Sequence, residues 1–260
     1  MTLGIVRKTA FCVWFVPAIF LFAADDSEPL IRRLSFGVRA EAFPLRLFNI
    51  HDFATSTTQP IADYTYSASS SSSKVGLGPT VEYRWTNRWS FGVEVNFHHA
   101  DYQGTIVELS GLPGNNSPTD NRVPTTTTDT TQANYWDVPI LARYYGLPKP
   151  QSWLVRRIPR TLFDRAYVVG GLEFQHVGRV RTGNAVSNAD GTTAYNEISD
   201  KPHLGNQPGL VVGIGLRFMD EFHIKVMPEV RFVRWEGSTF EGPSYHSVVN
   251  QLEGGLGLSF

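Results

Sequence analysis

Gln251-Leu252-Glu253-Gly254-Gly255-Leu256-Gly257-Leu258-Ser259-Phe260 is the stretch from which the rest of the chain is read. Leu252, Gly254, Leu256, Leu258 and Phe260 fall at alternate positions; Gln251, Glu253, Gly255, Gly257 and Ser259 fall between them. Successive side chains of a strand point to opposite faces, so the pattern predicts a β-strand with one apolar face and one polar or small face.

Working outward, the same alternation recurs over 34–43, 74–85, 89–99, 135–144, 166–176, 209–219 and 222–232. In the first of these, Leu34, Phe36, Val38, Ala40 and Ala42 oppose Ser35, Gly37, Arg39 and Glu41. Thr86-Asn87-Arg88 and Asp220-Glu221 read as tight turns, the usual signal of a hairpin between two alternating runs. The connections 45–73, 103–131, 180–206 and 236–248 are rich in Ser, Thr, Asn, Pro and Gly and read as long loops. Eight strands of roughly ten residues have the length that a tilted strand needs to cross a bilayer, and long loops alternate with short connections. The expected fold is therefore all-β: an eight-stranded antiparallel up-and-down transmembrane β-barrel with both termini on the periplasmic side.

Composition agrees with one domain. The chain has 260 residues, 23 glycines and a net charge of −1, so a nucleic-acid partner is not expected. No apolar run reaches the roughly 18 residues of a spanning helix. Arg7 and Lys8 precede an uncharged run that ends at Ala23-Ala24, which predicts a cleaved signal peptide over 1–24 and a barrel domain over 25–260. Cys12, the single cysteine, lies in that leader, so the mature chain is expected to form no disulfide and no thiolate metal site.

The two faces differ in charge. The apolar face of the eight strands carries no charged residue, as lipid exposure demands, because a midplane Lys or Arg costs about 2–4 kcal/mol. The opposite face carries Arg39, Lys74, Arg84, Arg143, Arg217, Lys225 and Arg231, and also Glu41, Glu82, Glu94, Asp137, Glu173, Glu229 and Glu253. Seven charges of each sign inside a narrow lumen predict a closed, salt-bridged plug, since unpaired buried charges are heavily penalised. A soluble barrel with its apolar face inward is the alternative. Aromatic placement favours lipid: Tyr83, Trp85, Trp89, Tyr144, Phe218, Phe222 and Phe260 form one expected girdle, and Phe43, Phe97, Phe174 and Phe232 the other. The connection 145–165 is basic, with Lys149, Arg156, Arg157, Arg160 and Arg165 against Asp164, and reads either as a headgroup or partner contact or as a solvated turn.

Glu253, Gly255, Leu258 and Phe260 match, position by position, the C-terminal signal of bacterial outer-membrane barrels. With Trp136-Asp137-Val138-Pro139-Ile140-Leu141 and Met227-Pro228-Glu229-Val230-Arg231-Phe232, the chain resembles the small outer-membrane β-barrel superfamily, specifically the PorT-type proteins related in shape to OmpX and OmpA. The resemblance implies an outer-membrane location, contact with outer-membrane lipid, and recognition of the last strand by the barrel-assembly machinery. It implies location more firmly than activity.

Candidate chemistry is sparse. His98, His99, Asp101 and His246-Ser247 are expected at the outer rim without a spacing that joins them into a catalytic set. Asn188-Ala189-Asp190-Gly191 lacks the further acids of a calcium loop and reads as a type I′ turn. No cofactor and no metal are expected. The expected function is non-enzymatic: a barrel with a structural role, or one whose long loops bind an extracellular or periplasmic partner. A narrow solute channel, a lipid-modifying enzyme and a secretion-system accessory are the alternatives.

Overall fold

The computed structural model describes residues 33–58, 61–72, 74–111, 122–148, 159–188, 190–200, 202–219 and 224–260. The expected leader 1–24, the middle of the basic connection, Asp220-Glu221 and Phe222 lie outside them.

The protein is all-β. In chain order the strands are β1 (Leu34–Ala42), β2 (Phe48–Ile50), β3 (Phe53–Thr58), β4 (Ile61–Ser70), β5 (Val75–Arg84), β6 (Trp89–Glu94), β7 (Asn96–Ser110) and β8 (Pro124–Tyr145). A six-residue helix, α1 (Arg160–Arg165), precedes β9 (Ala166–Ser187). Then come β10 (Thr193–Asp200), β11 (Asn206–Leu216), β12 (Phe218–Met219), β13 (Lys225–Trp235), β14 (Glu241–Gly242), β15 (Tyr245–Ser247) and β16 (Asn250–Ser259). All pairings are antiparallel. β1 pairs on one side with β5, in the register Arg39↔Gly78, and on the other with β16, in the register Arg39↔Gly257. β5 pairs with β6 and, at Leu77↔Phe97, with β7. Both pair with β8, which pairs with β9; β9, β11, β13 and β16 follow as successive neighbours.

Alternation decides the faces. Phe36, Leu77, Ile140, Leu172, Leu210, Ile214 and Val230 are all exposed, although they are large and apolar. Between them along the same strands, Arg39, Glu41, Asp137, Glu173, Glu229 and Glu253 are at most 3% exposed. The inward face is shared by these charges and by Leu141, Val211 and Val233, which are also buried.

Several expectations are corrected. The loops 45–73, 103–131 and 180–206 contain much strand: β3 and β4 form a hairpin, β7 and β8 run on together to Leu109↔Pro124, and β9 folds back on β10. Thr125–Thr128 carries no apolar alternation, because neither face of this extension is fully buried, yet β-branched threonine suits a strand. The expected strand 89–99 is broken at Val95, whose N–H bonds to Pro79, and 209–219 is broken at Arg217, whose N–H bonds to Arg165. Phe43, expected in an outer girdle, is 1% exposed and packs on the ring of His98. The turn at Thr86-Asn87-Arg88 forms as read: Thr86 Oγ1 accepts from the N–H groups of Arg88 and Trp89. A turn also forms where the N–H of Gly191 donates to the carbonyl of Asn188, but its left-handed residue, Gly191 (φ 81°), stands at the fourth position, as after a type I turn, and not at a central one as in the expected type I′ turn.

Candidate functional site

The buried face converges on two groups of polar side chains. The first is an arginine–carboxylate cluster assembled from strands far apart in sequence. Glu94 on β6 accepts two bonds from Arg231 on β13 (Nη1–Oε2 and Nη2–Oε1, both 2.7 Å) and one from Arg143 on β8 (Nη2–Oε1, 2.6 Å). Arg39 Nε on β1 lies 3.4 Å from Glu94 Oε2, and Arg39 Nη1 lies 3.4 Å from Glu229 Oε1. Glu229 also accepts from Arg231 Nε and, at 2.6 Å, from the Tyr167 hydroxyl. Tyr145 donates to Glu82 at 2.7 Å, while Arg217 stacks over the Tyr145 ring at 4.1 Å. Bidentate guanidinium–carboxylate bonds of this kind are the strong ones, and here both partners are buried.

Inward glycines make the room. A Cβ on Gly255 would collide with the Arg39 guanidinium, one on Gly92 with Arg143, and one on Gly76 with the His98 ring. Small residues thus face large ones across neighbouring strands, as in the filled interiors of small β structures.

The second group is rich in acids. Glu41, Asp137, Glu173 and Glu253 are buried, and His98 enters between two of them. Its Nε2 lies 2.8 Å from Glu41 Oε1 and 3.3 Å from Asp137 Oδ2. The imidazole is held by Tyr135 on one side (5.0 Å, 19° between planes) and Phe43 (5.0 Å). Asn96 donates to Glu41 Oε2 at 3.1 Å, and Gln251 donates to Glu253 Oε1 at 3.2 Å. Gln207 donates to Gln175 at 2.8 Å. Neither oxygen of Glu173 has a hydrogen-bond partner among the described residues. Above this group sits an apolar cap in which Phe48 packs 5.0 Å from Tyr102 and 6.0 Å from Phe240, backed by Ala100, Ala133, Val177 and Val180.

The fourteen charges expected in one network divide unevenly. All seven acids are buried, but among the seven cations only Arg39, Arg143 and Arg231 are. Arg217 and Lys225 are half-buried, with Lys225 Nζ bonded to Ser35 Oγ; Lys74 and Arg84 are exposed. Equal numbers on one face therefore do not produce equal burial, because Lys74, Arg84, Arg217 and Lys225 stand at strand ends. Arg33, unassigned by the pattern, is also buried. The last-strand residues Glu253 and Gly255 belong to the buried face, whereas Leu258 and Phe260 are exposed.

The chemistry candidates do not meet. His98 is buried beneath the cap, and His99 turns to the other face and contacts Asn134 at 2.7 Å. His246 pairs with Asn49 at 3.1 Å. Ser247 Oγ accepts from the N–H groups of Thr239 and Phe240, and no hydrogen bond joins it to a histidine among the described residues. Residues absent from the sequence expectation include Tyr145, Tyr167, Gln207 and Thr239. For the strand residues the usable signal was parity with Asp137, Glu173 or Gly209. Thr239, in the chain between strands, carried no such signal. Near the arginines a cavity of about 20 Å³ lies between Arg39, Glu82, Glu94 and Arg143, room for one water molecule. No protein-family model matches the chain, and no curated protein matches it.

Proposed function

We propose that the chain is an eight-stranded β-barrel of a bacterial outer membrane, sealed through its lumen, which acts without catalysis by presenting the β3–β4 and β7–β10 extension to a partner. The observation that carries this reading is the inverted polarity: apolar side chains outside, arginines and carboxylates inside. Water would not stabilise that arrangement, whereas hydrocarbon does. The pairing sequence supports closure, because β1, β5, β6–β7, β8, β9, β11, β13 and β16 follow one another and β16 pairs again with β1. Trp136, Val138, Ile140, Ala142 and Tyr144 extend the outward apolar face over eight residue steps, about 26 Å along the strand or roughly 20 Å after a 40° tilt, comparable with an apolar band of about 25 Å. Asn134 and Gln132 follow on the same face beyond Trp136, where a polar interface would begin.

The sealed lumen is supported by the aromatic cap and by the side chains that fill the interior beneath it, in keeping with the capacity of eight strands. A surface-recognition role is supported by the extension, in which β8 and β9 each run for 22 residues, far more than a crossing requires. Loops on a rigid scaffold are where recognition usually sits. The test is gel mobility of the protein from an outer-membrane fraction, with and without boiling. A faster unboiled band is expected. A soluble protein with one mobility overturns the reading.

A further inference from the structure

We propose that the interior binds a phosphate group at the end away from the β7–β10 extension, between Arg217, Lys225, Ser35 and Ser259. Antiparallel register brings these residues together. Lys225 on β13 stands opposite Ser259 on β16, and Ser35 on β1 stands opposite Glu82 on β5. Directly opposed residues of an antiparallel pair have Cβ atoms about 4.5–5.5 Å apart. Ser35, Glu82 and Ser259 line one small cavity. Arg217, Arg84 and Glu82 are the charged groups that act on Lys225. Gly37 leaves the room beside Ser259, since a Cβ there would strike it.

What converges there is a set of donors. Lys225 Nζ donates to Ser35 Oγ, which leaves two ammonium protons and the Ser35 hydroxyl proton for a ligand. Ser259 is 5% exposed, and its hydroxyl has no hydrogen-bond partner among the described residues. The Arg217 guanidinium lies 4.1 Å from the centre of the Tyr145 ring. That ring is itself held, its hydroxyl donating to Glu82 at 2.7 Å and accepting from Ser90 at 3.4 Å. A guanidinium stacked on a ring keeps its N–H groups, which lie in its own plane, for an oxyanion at its edge. The backbone of Arg217 is fixed as well, its N–H donating to the Arg165 carbonyl at 2.9 Å. Both cations are half-buried and anchored through neutral groups, while Glu82 is engaged by Tyr145 and by Arg143 Nη1 at 3.9 Å.

A cluster of donors fits a ligand made of acceptors. A phosphate group carries about −1.5 to −2 charge at neutral pH and several strong acceptor oxygens, so it can meet both cations and both hydroxyls at once. A monovalent, planar anion such as nitrate brings less charge and cannot reach four donors set around it. The site needs the packed interior and does not need a bilayer around it.

The test uses the purified full chain in a neutral maltoside detergent, titrated by calorimetry with inorganic phosphate and with nitrate at matched ionic strength. Phosphate is expected to bind saturably, at least about tenfold more tightly than nitrate, and to raise the urea midpoint of the wild-type protein where nitrate does not. Lys225→Met and Arg217→Leu are each expected to weaken binding about tenfold, Ser259→Ala by a few-fold, and Arg46→Ala, at the other end of the sheet, not at all. Dihexanoyl phosphatidic acid that binds through the same residues and more tightly than inorganic phosphate assigns the group to a lipid headgroup; weaker binding assigns it to a soluble ion, and either order supports the site. Equal binding of phosphate and nitrate by the wild-type protein overturns the proposal. So does a Lys225→Met variant that runs as folded on the gel and binds phosphate as the wild type does. Preference for phosphate in a protein that shows no mobility shift on boiling would sink the membrane reading and leave the site standing.

Discussion

Glu94→Gln and Glu173→Gln are expected to change stability in opposite directions, although both replace a buried glutamate by its isostere. Glu94 receives two hydrogen bonds from Arg231 and one from Arg143, with Arg39 at 3.4 Å. Glutamine keeps the volume but has one acceptor oxygen and no charge, so three buried guanidinium groups are left with Glu229, Glu41 and Glu82. Each hydrogen bond to a charged group is worth about 1.5–3 kcal/mol, and removing one partner of a buried ion pair costs about 3–5 kcal/mol. The three bonds end on one carboxylate and do not add, so a loss of about 3–5 kcal/mol is expected. Glu173 is 1% exposed and neither oxygen has a hydrogen-bond partner among the described residues. Its replacement removes a buried carboxyl that no group pairs, and a change between zero and about 2 kcal/mol in the stabilising direction is expected. Urea unfolding of each variant in phosphatidylcholine vesicles, followed by tryptophan fluorescence, measures both. Changes of the same sign that agree within about 1 kcal/mol would refute the division of the interior into a paired and an unpaired half.

Ile140→Arg probes the exposed face. In vesicles it is expected to cost about 2–4 kcal/mol of folding free energy, whereas a position facing water would show almost none. Gly171→Ala is expected to abolish folding or cost more than about 2 kcal/mol, because its Cβ would strike the Ile140 carbonyl, which cannot move without breaking the β8–β9 ladder; gel mobility after refolding reads this out. Acid is expected to loosen the β9–β10 turn. Hydrogen bonds from the Thr192 hydroxyl and N–H hold Asp190 below its ordinary 3.8. A carboxyl lowered by folding contributes stability above its unfolded value, which disappears as pH falls through the folded one. Amide exchange at Thr192 should therefore accelerate only below that ordinary value, and an unchanged rate down to the lowest pH would contradict the assignment.

Much of the buried face was readable residue by residue. Arg39 and Glu41 on β1, Asp137 and Arg143 on β8, and Glu229 and Arg231 on β13 alternate with Phe36, Ile140 and Val230, and period two assigns them to the opposite face wherever a strand forms. The extension was not readable, because the threonines of β8 and the serines of β4 have no hydropathy contrast to reveal a strand. His98 shares the parity of Glu94 and Asn96, yet its neighbour His99 and the adjacent polar chain drew it to the rim.

Local sequence determined which side chains share a face, since that follows from the backbone repeat and needs no partner strand. Tertiary structure alone decided which of the charges meet. Glu94 on β6 and Arg231 on β13 are 137 positions apart and separated in the sheet by β5, β1 and β16, and only the assembled sheet brings their side chains within hydrogen-bonding distance. The same packing decided which cations stay outside: Lys74 and Arg84 have the parity of the interior but stand at the two ends of β5, where they are exposed. Alternation assigns a face but says nothing of what covers a strand's end, so burial at the ends and the cap of Phe48, Tyr102 and Phe240 depend on how distant segments fold over one another.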